Sequence, residues 1–219
     1  YKTYLLNKDD ELDIISTNQS VYGYLAVSSG FKVEKFMGSY STTTRAGVGG
    51  NNGNKILVNQ KIYINNSKGI LKNKEINFLN SKIEFIRILK GTNFDYFSEN
   101  SIQKFFSEEF TVTKLTDRMG MRLKGPMLEN NKETNIRSEG LIKGVIQVPA
   151  DGNPIIMLSD HGTIGGYPKI GVIISADYDK LVQLPPSSKI KFKLVELEEA
   201  EKLFKFYKME TDNLLNQIR

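Results

Sequence analysis

Short segments of strand-like composition, separated by turn residues, recur along most of this sequence. The clearest is 189–194, where lysines alternate with Ile190, Phe192 and Leu194 at the period of two that a half-buried strand requires. Other segments rich in Val, Ile, Tyr and Phe lie at 22–28, 56–64, 84–89, 109–115, 144–148, 155–159 and 170–175. This pattern predicts a mainly β fold with a few helices, a barrel or a sandwich rather than a parallel sheet.

One turn and two helices are also predicted. Asp151-Gly152, flanked by Pro149 and Pro154, indicates a hairpin turn, because Gly allows positive φ and the prolines end the ladder. Helices are predicted at 94–107 and at about 196–218, and we interpret their apolar stripes as core packing. The stripes consist of Phe94, Phe97, Ile102, Phe105 and Phe106, and of Leu197, Ala200, Phe204, Tyr207, Leu214 and Ile218.

The stretch 65–82 is rich in Asn, Lys and Ser and has little periodicity. We therefore expect a boundary there, between an N-terminal subdomain at 1–78 and a β-rich C-terminal subdomain at 79–219. The sequence begins at Tyr1 rather than at Met, so we expect the N-terminal subdomain to be truncated.

The amino-acid composition argues against several classes of function. The chain has no cysteine, which excludes disulfides, thiolate nucleophiles and Cys-ligated metals. Its net charge of +5 comes mostly from lysines interleaved with acids, whereas nucleic-acid binding favours arginine and a face of one sign. No apolar run reaches the roughly 20 residues that span a bilayer, and no signal peptide opens the chain. We expect a cytoplasmic protein that binds neither nucleic acid nor membrane.

Familiar catalytic motifs are missing from the sequence. It contains no P-loop, no GxGxxG after a strand, no HExxH and no GxSxG. His161 is the single histidine, and no ligand spacing predicts a metal site. A nucleophilic triad of Ser138, His161 and Asp151 is conceivable, but no spacing supports it.

Three polar stretches edged by glycine are the candidate functional regions. In 158–169, Asp160, His161 and Thr163 can orient polar atoms of a ligand, or the stretch is only a wide loop. In 117–125, Arg118 and Arg122 can clamp a carboxylate or phosphate. Those two arginines can equally pair with nearby acids and hold the barrel together, a role we favour for Arg122.

The third stretch runs from 137 to 149. Glu139 is a candidate general base, although an ion pair with Arg137 is the alternative. Gln147 interrupts an apolar strand, and a buried amide must find hydrogen-bond partners. Gln147 is therefore either a structural residue that forms hydrogen bonds within the fold or a residue that recognises a substrate.

These stretches share an ordered set of short motifs with a known family. The motifs are Asp117-Arg118-Met119-Gly120, Ser138-Glu139-Gly140, Ile146-Gln147-Val148-Pro149-Ala150-Asp151-Gly152-Asn153-Pro154 and Gly165-Gly166-Tyr167-Pro168-Lys169-Ile170, preceded by Gly38-Ser39-Tyr40-Ser41-Thr42 and Arg45-Ala46-Gly47. In this order they resemble the carboxyltransferase-like subunit of bacterial ATP-dependent 5-oxoprolinases, also called allophanate hydrolase subunit 2. The similarity runs from about residue 22 to about residue 200.

The resemblance implies two subdomains with a cyclophilin-like β-barrel fold and a longer N-terminal region than this chain has. It implies a heteromer with two companion chains, an allophanate hydrolase subunit 1-like protein and a lactamase-like protein. The assembled complex uses ATP to open the lactam of 5-oxo-L-proline to L-glutamate, and this chain is expected to be inactive alone.

The predicted site residues combine the candidates described above with what this resemblance implies. The lactam carboxylate suits Arg118, and the lactam amide suits Gln147 or the glycine-rich loop. The predicted catalytic residues are Glu139, Gln147, Asp160 and His161. The predicted substrate-binding residues are Arg118, Arg122, Ser138, Thr163, Gly165, Gly166, Tyr167 and Lys169.

Two other functions are compatible with the resemblance. One is a non-enzymatic regulator that binds a kinase-inhibitor homologue of the subunit 1-like partner. The other is the carboxyltransferase part of a urea carboxylase or allophanate hydrolase system. A prolyl isomerase function does not follow from a cyclophilin-like barrel, because fold does not confer function.

Overall fold

A computed structural model describes residues 2–17, 20–66, 75, 84–132 and 134–216. The chain divides into two compact units. The first comprises Tyr1–Leu12 and Tyr24–Glu75, and the second comprises Asp13–Gly23 and Ile76–Arg219. The predicted boundary between residues 78 and 79 lies outside the described residues.

The described strands contain two to five residues each. In chain order the strands and helices are β1 (Thr42–Thr43), β2 (Val48–Gly49), β3 (Ile86–Lys90), α1 (Glu99–Ser107), β4 (Phe110–Val112), β5 (Gly120–Lys124), β6 (Glu139–Gly140), β7 (Val145–Gln147), β8 (Ile155–Met157), β9 (Ile164–Gly165), β10 (Lys169–Ile173), α2 (Ser175–Leu181), β11 (Lys189–Ile190), β12 (Phe192–Leu194) and α3 (Leu197–Asn216). Two 3₁₀ helices lie at Asn51–Gly53 and Phe94–Tyr96.

Within the described part of the second unit, eight strands form one sheet in the order β11-β4-β5-β8-β7-β10-β3-β12. Its two outermost strands, β11 and β12, follow each other in the chain with only Lys191 between them. β11 pairs antiparallel with β4, and β12 pairs parallel with β3. The segment 189–194 therefore pairs with β4 at one end of the sheet and with β3 at the other, and the sheet curls into a nearly closed barrel.

Aromatic side chains fill much of the barrel core. Phe105 of α1 is fully buried and stacks on Phe192, with ring centroids 4.5 Å apart. Phe110 meets Phe105 edge to face at 5.7 Å. Such offset and edge-to-face pairs stabilise a core beyond the area that they bury.

The predicted helix at 94–107 forms in two parts, because Ser98 starts α1 as an N-cap. Its Oγ accepts a hydrogen bond from the Ser101 backbone N–H at 3.1 Å, and the residues before it form the 3₁₀ turn. The predicted C-terminal helix is confirmed as α3, and residues 217 and 218 of the predicted range lie outside the described residues. Only part of its stripe packs in the core, since Ala200 is buried whereas Leu197 is 60% exposed.

Helix α2 has no counterpart in the sequence-based expectations. It is tied to β3 by Asp177, which is buried and accepts hydrogen bonds from the Arg87 backbone N–H and from Nε, both at 2.8 Å. An ion pair to Arg87 Nη2 at 2.5 Å adds to these contacts. The hydrogen bond to Asp177 is the main reason that the pKa of Arg87 rises above its usual value.

Two expected strands are absent from the described structure. Segments 22–28 and 56–64 form no strand there, and Ile64 makes only an isolated bridge to Phe31. Their apolar side chains are mostly exposed, and they join no ladder among the described residues. In the part of the chain that is described, no helix has both the length and the apolar character needed to cross a membrane.

Candidate functional site

A two-residue ladder brings two of the predicted stretches together. β6 pairs antiparallel with β9, so that Glu139 lies opposite Gly165 and Gly140 lies opposite Ile164. Backbone bonds extend the contact on both sides, from Leu141 N–H to the Thr163 carbonyl and from Ile136 N–H to the Gly166 carbonyl, each 2.9 Å. The 137–140 stretch and the glycine-rich loop therefore form one structure.

The Lys169 ammonium ends against Glu139. The distance from Nζ to Oε2 is 2.5 Å, and the side chains are 5% and 45% exposed, respectively. A nearly enclosed cation is thus paired with a carboxylate that solvent and ligands can reach. The alternative that Glu139 pairs with Arg137 is wrong, because Lys169, 30 residues away, takes that place.

Gln147 lies beside this ion pair on the neighbouring strand. It is directly opposite Lys169 in the β7–β10 register and is only 3% exposed. Its Nε2 donates a hydrogen bond to the Tyr167 carbonyl at 3.0 Å. A Cβ at Gly165 would lie 2.8 Å from the same Nε2, so a larger residue there would displace the amide from its position. The expectation that Gln147 is a buried amide with a partner is confirmed.

Asn93 holds the Lys169 backbone and is not among the residues predicted from the sequence. Asn93 is buried, its Oδ1 accepts from the Lys169 N–H at 3.0 Å, and its own N–H donates to the Lys169 carbonyl at 3.2 Å. The turn after β3 contains Gly91, where a Cβ would lie 2.2 Å from the Lys169 carbonyl oxygen. The Gly91-Thr92-Asn93 sequence was the available signal, since Gly next to a small polar residue marks close backbone approach.

A second pair involves the other end of the loop. Arg118 contacts Asp160 through Nε at 2.8 Å and through Nη2 at 3.3 Å. The Arg118 side chain is 58% exposed, so the guanidinium keeps an open side. His161 Nδ1 lies 2.6 Å from the Gly162 carbonyl oxygen, which orients the ring within its own loop.

The remaining predicted residues are dispersed. Arg122 is exposed on β5, and Ser138 is exposed just before β6. Among the described contacts none joins Ser138, His161 and Asp151, whose Oδ1 instead accepts from Asn153 N–H in the hairpin turn. Gly166 lies near Ser138, since a Cβ there would be 3.5 Å from the serine Oγ.

Tyr178 lies near the base of the same loop. Its hydroxyl is buried and has no hydrogen-bond partner among the described residues, and Lys143 Nζ lies 5.1 Å from the ring centroid. Burial raises the pKa of Tyr178 above its usual value of 10.0. The neighbouring Ser159 opposes that rise in part, without reaching hydrogen-bonding geometry.

Residues 1–194 match the family model of the carboxyltransferase domain, subdomains A and B. The chain belongs to this carboxyltransferase family. It is 34% identical to the C subunit of 5-oxoprolinase from Haemophilus influenzae over 220 residues, which cover 100% of this chain and 69% of that protein. It is 36% identical to the protein of the same name from Escherichia coli over 186 residues, which cover 82% and 58% of the two chains.

The fold agrees with this family. The crystal structure of the Kluyveromyces lactis urea amidolyase superposes with a TM-score of 0.74 at 23% identity, over 86% of this chain and 13% of that one. The predicted family and the mainly β, barrel-like fold are both confirmed. The chain spans about six- to seven-tenths of the length of the two bacterial relatives.

Proposed function

We propose that this chain is one subunit of a heteromeric, ATP-dependent 5-oxoprolinase that hydrolyses 5-oxo-L-proline to L-glutamate. The observation that carries the proposal is the identity of 34% and 36% to two proteins that are named as the C subunit of 5-oxoprolinase. Such a name implies other chains, and we propose that the partners are an allophanate hydrolase subunit 1-like protein and a lactamase-like protein. The chain alone is inactive under this proposal.

The proposed site is the group formed by Glu139, Lys169 and Gln147. A carboxylate that is 45% exposed, a nearly buried ammonium and a buried amide lie together, and such a set suits a small amide substrate. Lys169 holds the Glu139 carboxylate in place. Glu139 then accepts a proton from the water whose oxygen attacks the lactam carbonyl carbon. As the C–N bond breaks, the same proton passes to the leaving nitrogen, which becomes the amino group of glutamate.

Binding of the substrate carboxylate is assigned to Arg118. Its pair with Asp160 uses Nε and Nη2, so a guanidinium nitrogen and the open side remain for a second carboxylate. ATP supplies the driving force for opening a stable lactam in the assembled complex. This chain has no P-loop, and we assign none of its residues to the nucleotide.

The test is co-expression with the two partner chains and an assay of ATP-dependent glutamate release from 5-oxoproline. Glu139→Gln is expected to lower kcat by roughly 10²–10⁴-fold, the usual contribution of a general base. The matched control is Glu109→Gln, because Glu109 pairs with Lys189 at 3.1 Å and is 46% exposed. The control should leave kcat unchanged.

Two results would contradict the proposal. A well-formed complex of the native chain that releases no glutamate would remove the activity. Native turnover by a folded Glu139→Gln complex would remove the assigned base but keep the activity. Thermal unfolding of each variant shows whether lost turnover is only lost folding.

The match to the carboxyltransferase family model favours a second function. Under this alternative the chain moves a carboxyl group from carboxybiotin to urea. Incubation of the same complex with carboxybiotin and urea distinguishes the two, because only the alternative consumes carboxybiotin in a urea-dependent manner.

A further inference from the structure

The first compact unit contains an open cleft of about 730 Å³ that none of the predicted site residues lines. Its walls include Thr44, Arg45, Asn51, Asn54, Lys55 and Gln60. The volume falls within the roughly 300–1,000 Å³ typical of small-molecule sites. A cavity of this size accommodates an organic molecule rather than a single ion.

The charged side chains that line the cleft have one sign. Between Glu34 and Glu75 the sequence contains six lysines, one arginine and no acidic residue, although the whole chain has almost as many acids as bases. Arg45 and Lys55 line the cleft, and no carboxylate is among the described residues that line it. A concave wall that carries two cations and no acid attracts an anion.

The cleft wall is held by side-chain amides bonded to each other and to the backbone. Asn51 Nδ2 donates to the carbonyls of Asn54 and Lys55 at 3.1 and 2.9 Å. Gln60 Nε2 donates to Asn51 Oδ1, and Gln60 Oε1 accepts from the Leu57 N–H at 2.8 Å. These bonds fix the loop before any ligand arrives, which reduces the ordering that binding requires.

Gly53 brings the loop close to an earlier turn. It has φ of +74°, and a Cβ there would lie 2.0 Å from the Gly47 carbonyl carbon. Gly53 itself lines the cleft, so this close approach of two backbone segments helps to set its shape. Because only glycine fits at this position, the shape of the cleft depends on the backbone conformation at Gly53 as well as on the side chains that line it.

We propose that this cleft binds a small organic molecule through a phosphate or carboxylate group, which Arg45 and Lys55 hold. Guanidinium and ammonium groups form charge-assisted hydrogen bonds with either oxyanion. Thr44 also lines the cleft and has a hydroxyl group that can donate a hydrogen bond. The cleft shares no residue with the group of Glu139, Lys169 and Gln147, and its binding does not depend on the activity proposed for them.

The test is isothermal titration of the purified chain with inorganic pyrophosphate and, separately, with citrate. The two probes distinguish a phosphate ligand from a carboxylate ligand. Saturable binding of at least one is expected, and Lys55→Gln should weaken it roughly tenfold or more, as loss of one hydrogen bond to a charged group does. Arg45→Lys keeps the charge, loses the bidentate fork and should weaken binding less than Arg45→Gln.

Lys61→Gln is the matched control. Lys61 lies in the same acid-free stretch and loses the same charge, but it does not line the cleft. Binding by this variant should stay within about twofold of native, because diffuse charge contributes little at physiological salt. Absence of saturable binding, or equal weakening by Lys61→Gln and Lys55→Gln, would overturn the proposal. No partner chain or turnover is needed, so failure here leaves the proposed hydrolysis untouched.

Discussion

Lys169 carries a charge that protein encloses almost completely. Removing an ammonium from water is unfavourable unless an anion and hydrogen bonds replace the solvent. Glu139 supplies the anion, and Asn93 fixes the backbone from which the long side chain extends. Because Lys169 is fixed by these contacts, it can hold the Glu139 carboxylate in the precise position that a reacting group needs.

Tyr178→Phe is expected to raise the free energy of unfolding at neutral pH by up to about 1 kcal/mol. The hydroxyl is buried without a hydrogen-bond partner among the described residues, so its removal avoids desolvation and forfeits little. The contact between Lys143 and the ring remains in the variant. Urea denaturation followed by circular dichroism measures the change.

The same variant should lose a pH dependence. The pKa of Tyr178 is raised in the folded state, so the unfolded phenol ionises first, near pH 10. Stability is therefore full below that pH and falls as pH rises towards the folded pKa. The native chain should lose stability more steeply than Tyr178→Phe above pH 10. Parallel curves for the two proteins would show that Tyr178 ionises equally in both states.

The sequence showed that a side chain needs a hydrogen-bond or ion-pair partner more reliably than it showed which residue is that partner. Gln147 was expected to be a buried amide with a hydrogen-bond partner, and it is, but the Tyr167 carbonyl lies 20 residues away. The nearest cation to Glu139 in sequence is Arg137, yet Lys169 pairs with it. Asn93 acts across 76 residues, and no periodicity in the sequence reports such a contact.

At the scale of elements, the β6–β9 ladder contains two glycines in very different surroundings. A Cβ at Gly165 would lie 2.8 Å from both Gln147 Nε2 and Leu141 Cδ1, whereas a Cβ at Gly140 would meet nothing within 4 Å. Gly165→Ala should therefore lower the free energy of unfolding by about 1–3 kcal/mol, as overpacking does. Gly140→Ala should change it by less than about 1 kcal/mol.

Urea denaturation of both variants provides the measurement. Equal effects would mean that the loop does not lie against the Gln147 amide. A crystal structure of Gly165→Ala should also show the Gln147 side chain displaced from the Tyr167 carbonyl, because the new methyl group takes its space.

Element prediction succeeded where burial on one face alone decides the structure. The alternation at 189–194 placed Ile190 and Phe192 inside, and both are buried. The pattern could not show that Lys191 divides the segment between two partner strands, because side-chain alternation carries no information on pairing. Segments 22–28 and 56–64 are also rich in β-forming residues but have no ladder partner in the described structure, and they form no strand there.

At the scale of the whole molecule, barrel closure depends on one strand near the end of the chain. A chain ending after Ser188 would leave β3 and β4 each with an unpaired edge, and exposed edges pair with other molecules. We expect it to aggregate and to bind a hydrophobic dye. A chain ending after Glu196 keeps 189–194 and should remain soluble, as light scattering and dye fluorescence can show. Equal solubility of the two truncations would contradict this role of the strand.

The position of that strand also orders events during synthesis. β3 and β4 leave the ribosome about a hundred and about eighty residues, respectively, before the segment that pairs with both of them. Until residue 194 has been synthesised, the nascent barrel is an open sheet with two unpaired edges. Contacts between residues that are so far apart in the sequence also form slowly. The interval between the synthesis of β4 and that of residue 194 is therefore the one in which a chaperone or a partner chain would protect the open sheet most effectively.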